Sequence, residues 1–81
     1  MLVRIVKLSF HPENIPAFLE NFEENKDKIR SYPGNNFLEL YQDQNNKDVF
    51  FTYSYWETPE DLENYRHSEL FAGVWAFTKK L

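Results

Sequence analysis

Residues 50–79 read FFTYSYWETPEDLENYRHSELFAGVWAFTK, an aromatic strand running directly into two helix starts. At the two-residue period of a strand, Phe50, Thr52, Ser54 and Trp56 share one face and Val49, Phe51, Tyr53 and Tyr55 the other. The first face mixes large rings with small hydroxyls. Under a helical layer, such a face predicts a cavity lined by aromatics with a few polar handles, the usual composition of a small-molecule site. After Trp56, Thr58-Pro59-Glu60-Asp61 has helix-opening chemistry: a capping hydroxyl, a proline at the first helical position, and acids facing the positive end of the helix dipole. That helix is expected to stop near His67. Ser68 is a second cap, and Leu70, Phe71, Val74, Trp75 and Thr78 then lie along one helical face.

Upstream, the period changes cleanly from two to 3.6 and back. Met1 to Phe10 is rich in branched residues, with Val3 and Ile5 on one side and Val6, Leu8 and Phe10 on the other, and both faces are expected to be partly buried. Arg4 in this strand is read as an edge device against wrong pairing or a residue at a pocket mouth. Pro12 breaks the strand and Asn14 is the expected cap of a helix carrying Ile15, Phe18, Leu19, Phe22, Lys26 and Ile29. Its acidic stretch from Glu20 to Asp27 predicts a solvated outer face. Tyr32-Pro33-Gly34 ends the helix. A strand over Asn36 to Gln42 and the turn-forming Gln44-Asn45-Asn46-Lys47 then predict an antiparallel hairpin with the aromatic strand.

These signals describe one α+β domain over residues 1–81 with the order β-α-β-β-α, five-sixths of the split β-α-β pattern β-α-β-β-α-β; the final strand is missing. One helical layer covers only one side of a sheet, so the Val49, Phe51, Tyr53 and Tyr55 face predicts a second copy packed against it. A chain of 81 residues, 19% of them aromatic, gains core by such pairing. The absence of cysteine excludes disulfides, thiol nucleophiles and cysteine-held metals, and points to a reducing, cytoplasmic setting. Two distant histidines give little support to a metal site. A net charge of −4 without a basic cluster argues against nucleic acid, and no apolar run approaches a membrane span.

The segments Tyr53-Ser54-Tyr55-Trp56, Tyr65-Arg66, Ser68-Glu69-Leu70-Phe71 and Val74-Trp75, with Thr78-Lys79, resemble the antibiotic biosynthesis monooxygenase family. The resemblance extends over the first strand and the Pro33-Gly34 turn, and so over nearly the whole chain. It implies a ferredoxin-like domain with an antiparallel sheet that forms a homodimeric α+β barrel. The activity implied is oxygenation of a small aromatic, quinol or polyketide-like substrate by dioxygen, without metal, flavin or other cofactor. Trp56 matches a strand-end pocket tryptophan, whose indole N–H is expected to face a substrate oxygen. Thr52 falls where some quinone-forming relatives carry asparagine, so that donor does not carry over.

A haem-degrading branch of the superfamily uses a first-strand asparagine and a histidine ligand on the last helix. The corresponding positions here are near Val6 and at Trp75, which disfavours haem degradation. The expected site is therefore Trp56 and His67 as catalytic residues, with Thr52, Ser54, Tyr65, Phe71 and Trp75 binding substrate. Each has a plainer reading: the tryptophans pack in any small core, Tyr65 staples a helix to the sheet, Arg66 pairs with a surface carboxylate, and His67 caps a helix end. No carboxylate falls on the pocket face of the third strand, so proton removal rests on His67, Tyr65, water or the substrate's own acidity. The alternative function is a non-catalytic dimeric module that binds a small hydrophobic ligand or has a structural role.

Overall fold

The third strand forms the middle of the sheet. A computed structural model describes residues 1–81. It contains strands β1 (Leu2–Ser9), β2 (Asn35–Gln42) and β3 (Val49–Trp56), and helices α1 (Ile15–Arg30), α2 (Pro59–Arg66) and α3 (Glu69–Thr78). The sheet order is β1-β3-β2, with β3 antiparallel to both neighbours. β1 and β2 therefore run parallel, joined over the sheet by α1, and β3 is inserted between them: the split β-α-β unit of a ferredoxin-like α+β fold. No helix is long and apolar enough to cross a membrane.

Register decides which side chains meet. Arg4 stands opposite Ser54, Val6 opposite Thr52 and Leu8 opposite Phe50 on one side of β3, while Leu38 and Leu40 stand opposite Ser54 and Thr52 on the other. This face lies under the helices. The core beneath them forms two clusters: Ile29, Leu38, Trp56 and Tyr65 at one end, and Phe10, Phe18 and Phe50 at the other. The opposite face carries Val3, Ile5, Phe37, Tyr41, Tyr53 and Tyr55. Val3, Ile5 and Tyr41 are 51%, 54% and 49% exposed. The expectation that both faces of β1 are partly buried therefore fails within one chain, because all three helices lie on the same side.

Several local readings hold in detail. Thr58 accepts a hydrogen bond from the Asp61 amide at 3.1 Å, and Ser68 accepts one from the Phe71 amide at 3.1 Å, so the chain stops and restarts as a helix at Ser68. The Ser68 hydroxyl also donates to the Tyr65 carbonyl at 2.6 Å, which ties the end of α2 to the start of α3. In the hairpin turn, the Asp43 carboxylate accepts from the amides of Asn45 and Asn46 at 3.0 and 2.7 Å, an Asx-type brace just before the expected turn residues.

The start of α1 differs from expectation. A short 3-10 turn over Pro12–Asn14 precedes it, and the Asn14 side chain makes no capping bond. Its amide donates instead to the Leu81 carbonyl at 3.0 Å, so the residue anchors the end of the chain. β2 begins one residue earlier than expected, at Asn35, with a register shift between Asn35 and Phe37.

Gly34 adopts φ +88° after α1, and a side chain there would run into Asp61 at the start of α2. Its carbonyl accepts from the Glu57 amide at 2.8 Å, holding the β3–α2 corner against the end of α1. Gly34→Ala is expected to cost at least about 1–2 kcal/mol from backbone conformation alone. A denaturant midpoint unchanged from wild type would contradict this.

Candidate functional site

Between the two core clusters, under α3, the packing leaves a cavity of about 80 Å³. Its floor is the helix-facing side of the sheet: Val6 and Leu8 from β1, Leu38 from β2, and Thr52, Ser54 and Trp56 from β3. α1 contributes Phe18, Phe22 and Ile29, and α2 contributes Tyr65. Phe71, Val74, Trp75 and Thr78 of α3 complete the wall. Trp75 is 40% exposed and marks the outer rim, whereas Trp56 is fully buried at the inner end. The period-two pattern of β3 therefore does place rings and hydroxyls beneath a helical layer.

Six of the seven residues expected at the site surround this one space: Thr52, Ser54, Trp56, Tyr65, Phe71 and Trp75. His67 does not join them. It caps α2, its side chain is 77% exposed, and its Nε2 lies 3.2 Å from Glu63 Oε1. A residue immediately after the last turn of α2 projects from the α2–α3 corner into solvent, so the plainer reading of His67 is the one the geometry favours. Arg66 likewise pairs on the surface with Glu63, at 3.2 Å.

Trp56 is held more firmly than the sequence indicated. Its ring stacks on Tyr65, with centroids 4.9 Å apart and planes inclined by 25°, and Tyr65 in turn meets the edge of Phe71. The indole N–H donates to Ser54 Oγ at 3.0 Å, not into the cavity. An N–H buried this completely needs a partner, and the hydroxyl two residues earlier on the same face of the strand supplies it. With Oγ accepting from Trp56, the Ser54 O–H is the group left to donate. The Trp56 N–H is thus already satisfied inside the core.

Arg4 is the one formally charged residue in the cavity wall. Its guanidinium lies 5.8 Å from the centre of the Phe71 ring. Period two places it on the same face as Val6 and Leu8, so it lines the pocket from a strand that is also an edge of the sheet. Burial lowers its pKa, an effect that Tyr65 opposes and Arg66 adds to, yet an arginine remains cationic at neutral pH. Burial raises the Tyr65 pKa, with Arg4 opposing the rise. At pH 7 the Tyr65 phenol is therefore protonated, a donor and not a base. No carboxylate or imidazole lines the cavity, and no three His, Cys, Asp or Glu side chains cluster to hold a metal ion.

Residues 1–74 match the family described as antibiotic biosynthesis monooxygenase. The chain belongs to the antibiotic biosynthesis monooxygenase family. No curated protein matches it significantly. Among solved structures, a Deinococcus radiodurans protein assigned to the same family superposes with a TM-score of 0.93 at 14% identity, over 100% of this chain and 80% of that one. A conserved protein of Methanosarcina mazei gives 0.90 at 17% identity, over 96% and 76%. A further structure named antibiotic biosynthesis monooxygenase gives 0.84 at 21% identity, over 98% and 84%. At these identities the likeness shows the fold alone. The family membership supports a monooxygenase that takes a small molecule.

Proposed function

We propose that this antibiotic biosynthesis monooxygenase family member oxygenates a small aromatic, quinol or polyketide-like substrate with dioxygen, using the substrate itself as the electron source. The observation that carries the reading is an aromatic cavity equipped with hydrogen-bond donors and a cation. Such a site stabilises negative charge on a bound ring and leaves deprotonation to the substrate's own acidity. In the simplest case a ring-activated methylene loses a proton and its carbanion combines with dioxygen. The methylene then becomes a carbonyl: one oxygen atom stays on carbon, and the other leaves as water with the two hydrogens. Ser54 and Tyr65 donate toward the developing oxyanion, while Phe71 and Trp75 hold the ring and exclude water.

The reading includes a homodimer. Val3, Ile5, Phe37, Tyr41, Tyr53 and Tyr55, with Lys7 and Glu39 among them, form a largely apolar face that no helix of the same chain covers, and Phe37–Tyr55 and Tyr41–Tyr53 already associate across it, with ring centroids 4.5 and 5.1 Å apart. A second copy packed on this face gives two sheets back to back with the helices outside.

One observation favours ligand binding without turnover. The cavity holds no residue that could take a proton at neutral pH, so a substrate of low acidity would bind and remain unchanged.

The test is oxygen uptake by the full chain, treated with chelator, with quinols and anthrone-like phenols. Wild type is expected to consume oxygen, and Ser54→Ala and Trp56→Phe each to reduce the rate by about tenfold or more, since each removes part of the donor chain. Folded variants with unchanged rates would remove the reaction from this cavity. No uptake by wild type across the panel would leave the binding module.

A further inference from the structure

We infer that Arg4 selects for an anion: the aromatic ligand of this cavity carries an ionised oxygen beside its ring, a carboxylate or a phenolate, bound by the Arg4 guanidinium with help from Ser54.

Of the three arginines, Arg30 and Arg66 are both paired with carboxylates, Arg30 with Asp27 and Glu39 and Arg66 with Glu63. Arg4 is half-buried and takes part in none of the ion pairs. Its guanidinium lies over the face of Phe71; of the two groups whose charge bears on it, Tyr65 is an uncharged phenol at pH 7 and Arg66 is a like charge. A cation held in an apolar wall, with no anion beside it and a like charge nearby, is costly in the empty protein. An incoming anion would relieve that cost, which makes the site selective rather than merely tolerant.

The placement suits this role. Arg4 and Ser54 are cross-strand partners on the cavity floor. The Ser54 hydroxyl already accepts from Trp56, so its own proton is free for a second acceptor. Guanidinium and hydroxyl thus converge on one side of a space whose other walls are Phe71, Trp75, Trp56 and Tyr65. A planar ring fits against the aromatics with its charged oxygen toward β1. A cavity of about 80 Å³ encloses at most about one ring, so the rest of a larger ligand would lie out past Trp75 at the rim.

The inference rests on the cavity being the substrate site proposed above, and it is tested by binding alone. Benzoate and its neutral counterpart benzamide are titrated against the full chain by tryptophan fluorescence, and para-nitrophenol is titrated above and below its own ionisation by its visible absorbance. Wild type is expected to bind benzoate at least tenfold more tightly than benzamide. Arg4→Met is expected to abolish that preference while still binding benzamide, and Arg4→Lys, which keeps the charge and loses the planar fork, to retain part of it. A preference for ionised over neutral nitrophenol would extend the anion class to phenolates; a preference shown only by benzoate would restrict it to carboxylates. Equal binding of benzoate and benzamide, binding of neither, or a preference that survives in Arg4→Met would overturn the inference. Anion preference without oxygen uptake would sink only the monooxygenase reading; oxygen uptake without anion preference would sink only this one.

Discussion

Trp56→Ala is expected to destabilise the protein by about 3–5 kcal/mol, the range for removing a large aromatic from a core. Trp56 is the largest fully buried side chain, and truncation to alanine breaks the stack on Tyr65 and empties the centre of one of the two core clusters. It also leaves Ser54, itself only 4% exposed, without the donor that its oxygen accepts from. A domain of 81 residues has a stability of roughly 4–12 kcal/mol at typical values per residue. The loss is therefore a quarter or more of the total, and the population unfolds under correspondingly milder conditions. Urea denaturation at fixed protein concentration measures it. A loss below about 1 kcal/mol would mean that the ring does not lie in a packed core.

The second large effect concerns the open face of the sheet. Tyr53→Glu places a charge at the centre of that face, opposite Ile5 on one side and Glu39 on the other. If two copies meet there, the two new carboxylates approach each other across the interface and also lie beside Glu39. The dissociation constant is then expected to rise by about a hundredfold or more, about 2.8 kcal/mol. Sedimentation across a dilution series should show wild type at twice the 9.8 kDa chain mass and the variant at the chain mass, with a lower melting temperature. A wild type that sediments at the chain mass throughout, or a variant as dimeric as wild type, would contradict the pairing.

Much of this was legible from residue order because local chemistry and tertiary placement agree. The alternation in β3 separated the cavity face from the open face, since a strand allows only two sides, except at its first residue, Val49, which is buried although it lies on the open side. The capping hydroxyls of Thr58 and Ser68 located the α2 and α3 starts, because each bonds within three residues of itself. What could not be read depended on long-range geometry. Asn14 has the chemistry of a cap, but its amide bonds to Leu81, 67 residues away. The indole of Trp56 was expected to face substrate; which acceptor it reaches depends on side-chain rotamers, and the answer was Ser54 on the same strand. His67 carried the right chemistry for proton transfer, but the turn ending α2 points it outward. Arg4 was detectable as a break in an apolar alternation, though not as a residue without a partner, since that depends on where every carboxylate ends up.

The cavity beneath α3 is proposed to host a monooxygenation in which the substrate supplies the electrons. This is tested most directly by incubating the full chain, chelator-treated, with an anthrone-like phenol under isotopically labelled dioxygen and weighing the product. One labelled oxygen atom per product molecule is expected, introduced at the former methylene, with the label absent when the water alone is labelled and the yield falling in Ser54→Ala. Label arriving from water, or an equal yield without protein, would contradict it.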